Sequence, residues 1–222
     1  RAHEARLRSA VTALVRARRD TAAGDHDLLA RMLRATDPET GQHLPDELVV
    51  DNIVSFLMAG YDTTALALTW SLYLISRSPE WEARMLDEVT SVAGSGPITA
   101  AHVDKLKIVQ QVLNESLRLY PTAPIIVRDF MQDYEFNGVK VPRGTIGIIP
   151  IYAIHRHDAY WSDPHRFDPG RFAQDDRSRM LRYQFLPFGV GPFLWRQMFV
   201  NLFGAPFVEL IFLADADHRL NA

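Results

Sequence analysis

The chain has 222 residues, 47% of them hydrophobic and 23% charged, which is ordinary for a globular protein and excludes a low-complexity chain. Lys+Arg of 24 against Asp+Glu of 27 gives a net charge of -3, whereas a nucleic-acid or anionic-membrane binder would show a basic excess. Cysteine is absent, so disulfides, Cys-based metal sites and thiol catalysis are all excluded.

No apolar run reaches the roughly 18 residues of a membrane-spanning helix. Arg196, Gln197, Asn201 and Glu209 interrupt the most hydrophobic region. The Arg-rich start, 1–20, lacks the apolar segment of a signal peptide. Without a span, a signal peptide or cysteine the expectation is a cytoplasmic protein, and because the first residue is not Met the sequence is expected to open inside a longer chain.

Most of the first half reads as helix. Leu7, Val11, Leu14 and Val15 form an apolar stripe at helical spacing. A short helix is predicted over 27–34, ended by the turn signal Asp37-Pro38 with Gly41 nearby. Pro45 suits a first helical position and opens a long helix to about residue 77. Its middle holds Gly60, Asp62, Thr63 and Thr64, which weaken a helix rather than build it. Met58 and Trp70 on the same helix read as core.

Ser78-Pro79-Glu80 starts another helix to about residue 92, and 105–119 forms the next, stopped by Pro121. The pattern then changes. Ile125-Ile126-Val127 reads as a strand, 134–141 as a hairpin turning at Asn137-Gly138, and 146–149 as a further short strand. Residues 158–192, rich in Pro, Gly and aromatics, read as an ordered, packed loop, and the tail from Phe193 as an apolar helical segment broken at Gly204 and Pro206. The fold class is mainly α with small β-sheets.

Three constellations could carry chemistry. In Ala59-Gly60-Tyr61-Asp62-Thr63-Thr64, glycine lets a flat ligand approach the helix backbone. A mid-helix threonine can bond back to a carbonyl one turn earlier and open a pocket, and an adjacent Asp and Thr can pass protons. A tight helix–helix contact with solvated polar residues explains the same letters. Glu115 and Arg118 share a helix face, either as a surface salt bridge of little consequence or as part of a buried pair. In Phe167-Asp168-Pro169-Gly170-Arg171-Phe172, the Arg171 guanidinium could reach that carboxylate and pin the loop to the helix.

Taken in order, Ala-Gly-x-Asp-Thr-Thr, Glu-x-x-Arg followed by Leu-Tyr-Pro, Phe-x-Pro-x-Arg-Phe and Phe-Gly-x-Gly resemble the C-terminal half of the cytochrome P-450 superfamily. The resemblance covers 1–192 and implies a partial cytochrome P-450 fold there, with 193–222 as a departing tail. It implies haem b as cofactor and O₂-dependent oxidation of a small apolar organic substrate. Electrons would come from a ferredoxin or flavoprotein reductase that reduced nicotinamide supplies.

Residue by residue, the resemblance assigns Asp62 and Thr63 to proton delivery and oxygen binding, and Ala59 and Gly60 to positions facing the ring. It makes Glu115, Arg118 and Arg171 a structural triad and gives Arg128 a haem propionate. Phe188, Gly189 and Gly191 would begin the haem-binding loop, and Pro124, Ile125 and Ile126 would line the substrate pocket. His155 and His157 alternate as on a strand face, where a metal site is conceivable, whereas the resemblance puts them in a short helix near the haem edge. His102 and His218 read as surface residues.

The pattern breaks after Pro192. Phe193, Trp195 and Gln197 stand where the family has a basic residue, the ligating Cys and a Gly. The thiolate pushes electron density into iron, and an indole N–H cannot replace it as a ligand. The end of all resemblance at one point suggests a frameshift, an altered splice or a decayed gene. A divergent relative with a reworked loop is the alternative. The expectation for this chain is an oxidoreductase lineage with no metal ligand and little activity; the rival is a non-catalytic helical relic or a binding module reusing the fold.

Overall fold

A computed structural model of the chain describes residues 2–20, 27–36, 41–173, 180–181 and 183–189. Helix α1 (Ala2–Asp20) and helix α2 (Leu28–Arg34) pack on the start of helix α3 (Asp46–Ser76). Val11, Val15, Leu29, Val49, Val50 and Ile53 form the shared apolar cluster, with Leu7 partly buried against it. Leu14 departs from the predicted stripe, being 52% exposed. Leu7, Val11 and Val15 follow strict i,i+4 spacing, and Leu14 lies about 100° round the helix from Val15, beyond the reach of α3.

Asp27 caps α2 by accepting from the Ala30 N–H at 2.8 Å. Arg19 pairs with Asp46 at 2.6 Å, and Arg8 with Asp51. Such exposed pairs orient α1 on α3 while contributing little to stability.

Helix α4 (Pro79–Ala93) follows with proline at its first position, although the Ser78 side chain makes no capping hydrogen bond. A single turn, α5 (Ala100–Val103), was not anticipated from the sequence. It is closed by a reciprocal cap between Thr99 and His102, so His102 is half-buried rather than a plain surface residue. Helix α6 (Lys107–Leu119) starts two residues later than the 105–119 expectation. Its first amides are held from α4: the Glu88 carboxylate accepts from Ile108 N–H at 2.8 Å and from Val109 N–H at 3.0 Å. That satisfies donors which a helix start leaves open.

Two small antiparallel sheets complete the expected class. Strand β1 (Ile126–Asp129) pairs with β4 (Ile146–Ile149), with Ile126 opposite Ile149. Strands β2 (Tyr134–Phe136) and β3 (Val139–Val141) form the predicted hairpin. Its turn has positive φ at both Asn137 (49°) and Gly138 (80°), the type I′ requirement that this dipeptide meets. Helix α7 (Ile151–Ile154) is one turn, and a 3-10 turn covers Pro169–Phe172. Trp161, Pro169 and Phe172 are buried, as a packed loop requires.

Trp70 stacks on Tyr120 at 4.0 Å and ties α3 to the end of α6. Met58, read as core, is 60% exposed. None of the described residues covers its side of α3. Among the described residues, no helix is long and apolar enough to cross a membrane.

Candidate active site

The site is organised by a charge cluster on α6. Glu115 and Arg118 sit one turn apart and are fully buried. Arg118 donates through Nε to Glu115 Oε2 at 2.7 Å and through Nη2 to Oε1 at 2.8 Å, a two-pronged pair. Its remaining N–H groups go to carbonyls: His155 at 2.8 Å, Pro164 at 2.7 Å and Arg166 at 3.1 Å. All five guanidinium donors are therefore in use.

Glu115 Oε1 also accepts from the Asp168 N–H at 2.9 Å, and Arg171 Nε approaches it at 3.5 Å. Arg171 is held by Ser162 Oγ at 3.2 Å and the Asp163 carbonyl at 3.0 Å. The structure thus brings Glu115, Arg118 and Arg171 together as expected. The surface-salt-bridge reading of Glu115 and Arg118 does not hold. Burial raises the Glu115 carboxyl above its ordinary pKa, while the Arg118 hydrogen bond and charge, the Asp168 N–H and Arg171 pull it down.

An aromatic row extends the cluster. The Arg118 guanidinium lies 5.0 Å over Trp161, Trp161 contacts Phe172, and Phe172 meets Phe185 at 4.7 Å. Phe185 in turn packs at 5.2 Å against His155. The chain then turns at 186–189, where Gly189 N–H donates to the Leu186 carbonyl at 3.1 Å and Pro187 occupies the second position. Gly189 has φ +79°, and a Cβ there would lie 2.8 Å from Ile126 Cδ1. The positive φ is what calls for glycine, and a larger residue would also push the Ile126 side chain aside. Ile126, Ile151 and Leu186 form the apolar seat of this turn.

On α3 the Thr63 hydroxyl donates to the Ala59 carbonyl at 2.8 Å, the back-bond expected of a mid-helix threonine. The helix stays continuous through it. Beside it lies a cavity of about 290 Å³ between α3, α4 and α6. Thr63, Thr64, Leu72, Met85, Val112 and Phe188 are among its walls.

Gly60 is buried and Ala59 half-buried, while Asp62 and Tyr61 are exposed. Thr63 and Thr64 both line the cavity, whereas Asp62 is exposed and is not among its walls. Arg128 is exposed and folds back to donate to the Val127 carbonyl at 2.9 Å. Pro124, Ile125 and Ile126 do not line the cavity: the first two are exposed, and Ile126 packs under the glycine turn. Gly191 and Trp195 lie outside the described residues.

Sequence reasoning missed two residues. Glu88 gave no local sign, since its target lies twenty residues on. His155 was weighed between a strand face and a short helix; it follows α7, is fully buried, and accepts the Leu186 N–H on Nε2 at 2.7 Å. Burial and the Arg118 charge lower its pKa to about 3, so the ring is neutral. Among the described residues, no group of three or more His, Asp or Glu side chains could hold a metal ion.

The residues fit a haem-thiolate group only in part. The cavity beside Thr63 leaves room for an apolar ligand, but the chain has no cysteine, and the indole of Trp195 is a donor without a metal-binding lone pair. The donor set does not complete the site.

Comparison with known proteins gives a consistent result. The family model described as cytochrome P-450 matches residues 2–193. The chain is 38% identical over 187 residues to cyclooctat-9-en-7-ol 5-monooxygenase of Streptomyces melanosporofaciens, covering 84% of this chain and 41% of that protein. It is 41% identical over 169 residues to cytochrome P-450 734A1 of Arabidopsis thaliana, covering 74% of this chain and 31% of that one. The crystal structure of the cytochrome P-450DA haem domain superposes with a TM-score of 0.83 at 32% identity, over 94% of this chain and 46% of that one. The chain therefore spans less than half the length of these relatives. With its buried Glu115–Arg118–Arg171 cluster, its glycine turn and this match over nearly all the described residues, the chain belongs to the cytochrome P-450 family.

Proposed function

We propose that the chain carries part of the scaffold of a haem-dependent monooxygenase, whose whole enzyme inserts one atom of O₂ into a small apolar organic substrate. Residues 1–192 are the family portion and 193–222 the departing tail. A ferredoxin or flavoprotein reductase as electron donor and a cytoplasmic location belong to the same proposal and draw on the sequence alone. The observation that carries the reading is the cluster of Glu115, Arg118 and Arg171, which holds the loop leading to the Gly189 turn. An almost wholly apolar cavity beside Thr63 suits an apolar substrate, in keeping with the name of the Streptomyces melanosporofaciens relative.

Within that scaffold, Glu115, Arg118 and Arg171 are positioning residues. Thr63, which lines the cavity, and the adjacent acid Asp62 are assigned to proton delivery and oxygen binding. Ala59, Gly60, Arg128, Phe188, Gly189 and Gly191 are assigned to the cofactor's surroundings. A bound haem would supply the oxygen-activating chemistry. This chain supplies no thiolate for it, so little or no turnover is expected of it; a non-catalytic relic or a binding module reusing the fold is the alternative.

The test is to express the full chain with haem, reduce it and add carbon monoxide. No thiolate-type band is expected. A haem-loaded chain with that band would overturn the inactivity, and a haem-free chain that unfolds in a single cooperative step would favour the binding-module alternative.

A further inference from the structure

His155 is engaged on three sides. Its carbonyl accepts from Arg118 Nη1 at 2.8 Å, its Nε2 accepts from the Leu186 N–H at 2.7 Å, and its ring packs on Phe185 at 5.2 Å. Leu186 then accepts from Gly189 N–H at 3.1 Å. Two residues thus link the buried guanidinium to the positive-φ glycine. The aromatic row from Trp161 through Phe172 and Phe185 returns to the same ring, so the connection closes on itself.

We propose that His155 is a positioning residue that sets the place of the 185–189 turn against the Glu115–Arg118 pair through its ring acceptor. The side chain must be planar to stack on Phe185, must accept at the far end of its ring, and must carry no charge beside Arg118. A neutral imidazole protonated on Nδ1 meets all three conditions. Nδ1 itself is buried and completes no hydrogen bond among the described residues, although the Leu117 and Arg118 backbone favours a proton on the ring. The tie between the ring and the turn is therefore the Nε2 contact to Leu186. This tie stands on geometry within the chain, and only its bearing on a cofactor rests on the function proposed above.

Two measurements on the full chain test it without haem, so their failure leaves the proposed function untouched. In the unaltered protein, nitrogen NMR of the imidazole is expected to show a proton on Nδ1 and a bare Nε2, with coupling across the hydrogen bond to the Leu186 nitrogen. A proton on Nε2 would overturn the proposal. In His155→Leu, amide exchange at Leu186 and Gly189 is expected to quicken by roughly tenfold or more, with Val11, Val15 and Val49 unchanged. His155→Gln, which restores an acceptor, is expected to recover the protection. Unchanged exchange at Leu186 in His155→Leu, or an equal and uniform loss in both variants, would sink the idea. The imidazole measurement decides the matter if either variant does not fold.

Discussion

Helices α3 and α6 reverse the usual relation between polarity and burial. Over 31 residues α3 is mostly apolar, yet its buried residues are only Val49, Val50, Ile53, Gly60 and Leu74, and Tyr61 and Leu72 are 77% and 68% exposed. Over 13 residues α6 carries Asn114, Glu115, Ser116 and Arg118 in succession or nearly so, and all are buried. The difference lies in what surrounds each helix. α6 is enclosed by α3, α4 and the loop over 155–172, whose carbonyls and one amide complete the hydrogen bonds of the Glu115–Arg118 pair. Polar side chains can be buried when partners are supplied, and apolar ones remain exposed when no packing surface is.

Breaking α6 should therefore cost far more than altering α3. Arg118→Ala removes both prongs of the pair, leaves the Glu115 carboxylate at 0% exposure with only the Asp168 N–H and the more distant Arg171, and frees three carbonyls. The expected loss is about 3–5 kcal/mol, read as a shift of the urea unfolding midpoint. The double variant Glu115→Leu with Arg118→Met should lose less than Arg118→Ala alone, because the fully buried carboxylate is removed together with its two-pronged partner.

The next effect is a pH dependence. His155 titrates near 6.5 when unfolded and at about 3 when folded, where burial and the positive charges of Arg118 and Arg156 oppose protonation. Between those values the unfolded chain takes up the proton and the folded chain does not. The stability His155 confers is thus complete above the unfolded pKa and declines as pH falls through that window, by up to about 1.4 kcal/mol per pH unit. Unfolding midpoints from pH 4 to 8 should show this slope in the native chain and a shallower one in His155→Gln; parallel curves would contradict it.

Glu88→Ala removes the acceptor for the first amides of α6 and should cost about 1–2 kcal/mol. Faster exchange at Ile108 and Val109 would locate that loss at the helix start. The smallest effect belongs to α3. Met58→Gln, on the exposed face, should shift stability by no more than about 0.5 kcal/mol, and a larger loss would mean that this face is covered after all.

Much of the fold was legible from local chemistry. The Asn137-Gly138 hairpin, the strand at 146–149 and the end of α6 before Pro121 follow from residues that act on their own backbone. The i,i+3 spacing of Glu115 and Arg118 was legible as a pair, and Arg171 as the side chain able to reach it. Whether they were buried was not, since the enclosing groups come from residues about forty to fifty positions away. The short turn α5 escaped notice because its cap uses a histidine in place of the usual glutamate.

By itself, the sequence determined the periodicities, the turns that need glycine or proline, and the absence of any cysteine to hold iron; each is a property of single residues or close neighbours. Only the tertiary structure decided that Thr63 faces a cavity while Asp62 faces outward, that Ile126 seats the Gly189 turn instead of lining the pocket, and that His155 joins that turn to Arg118. Those outcomes depend on which surfaces meet, and contacts between distant segments leave no periodic trace along the chain.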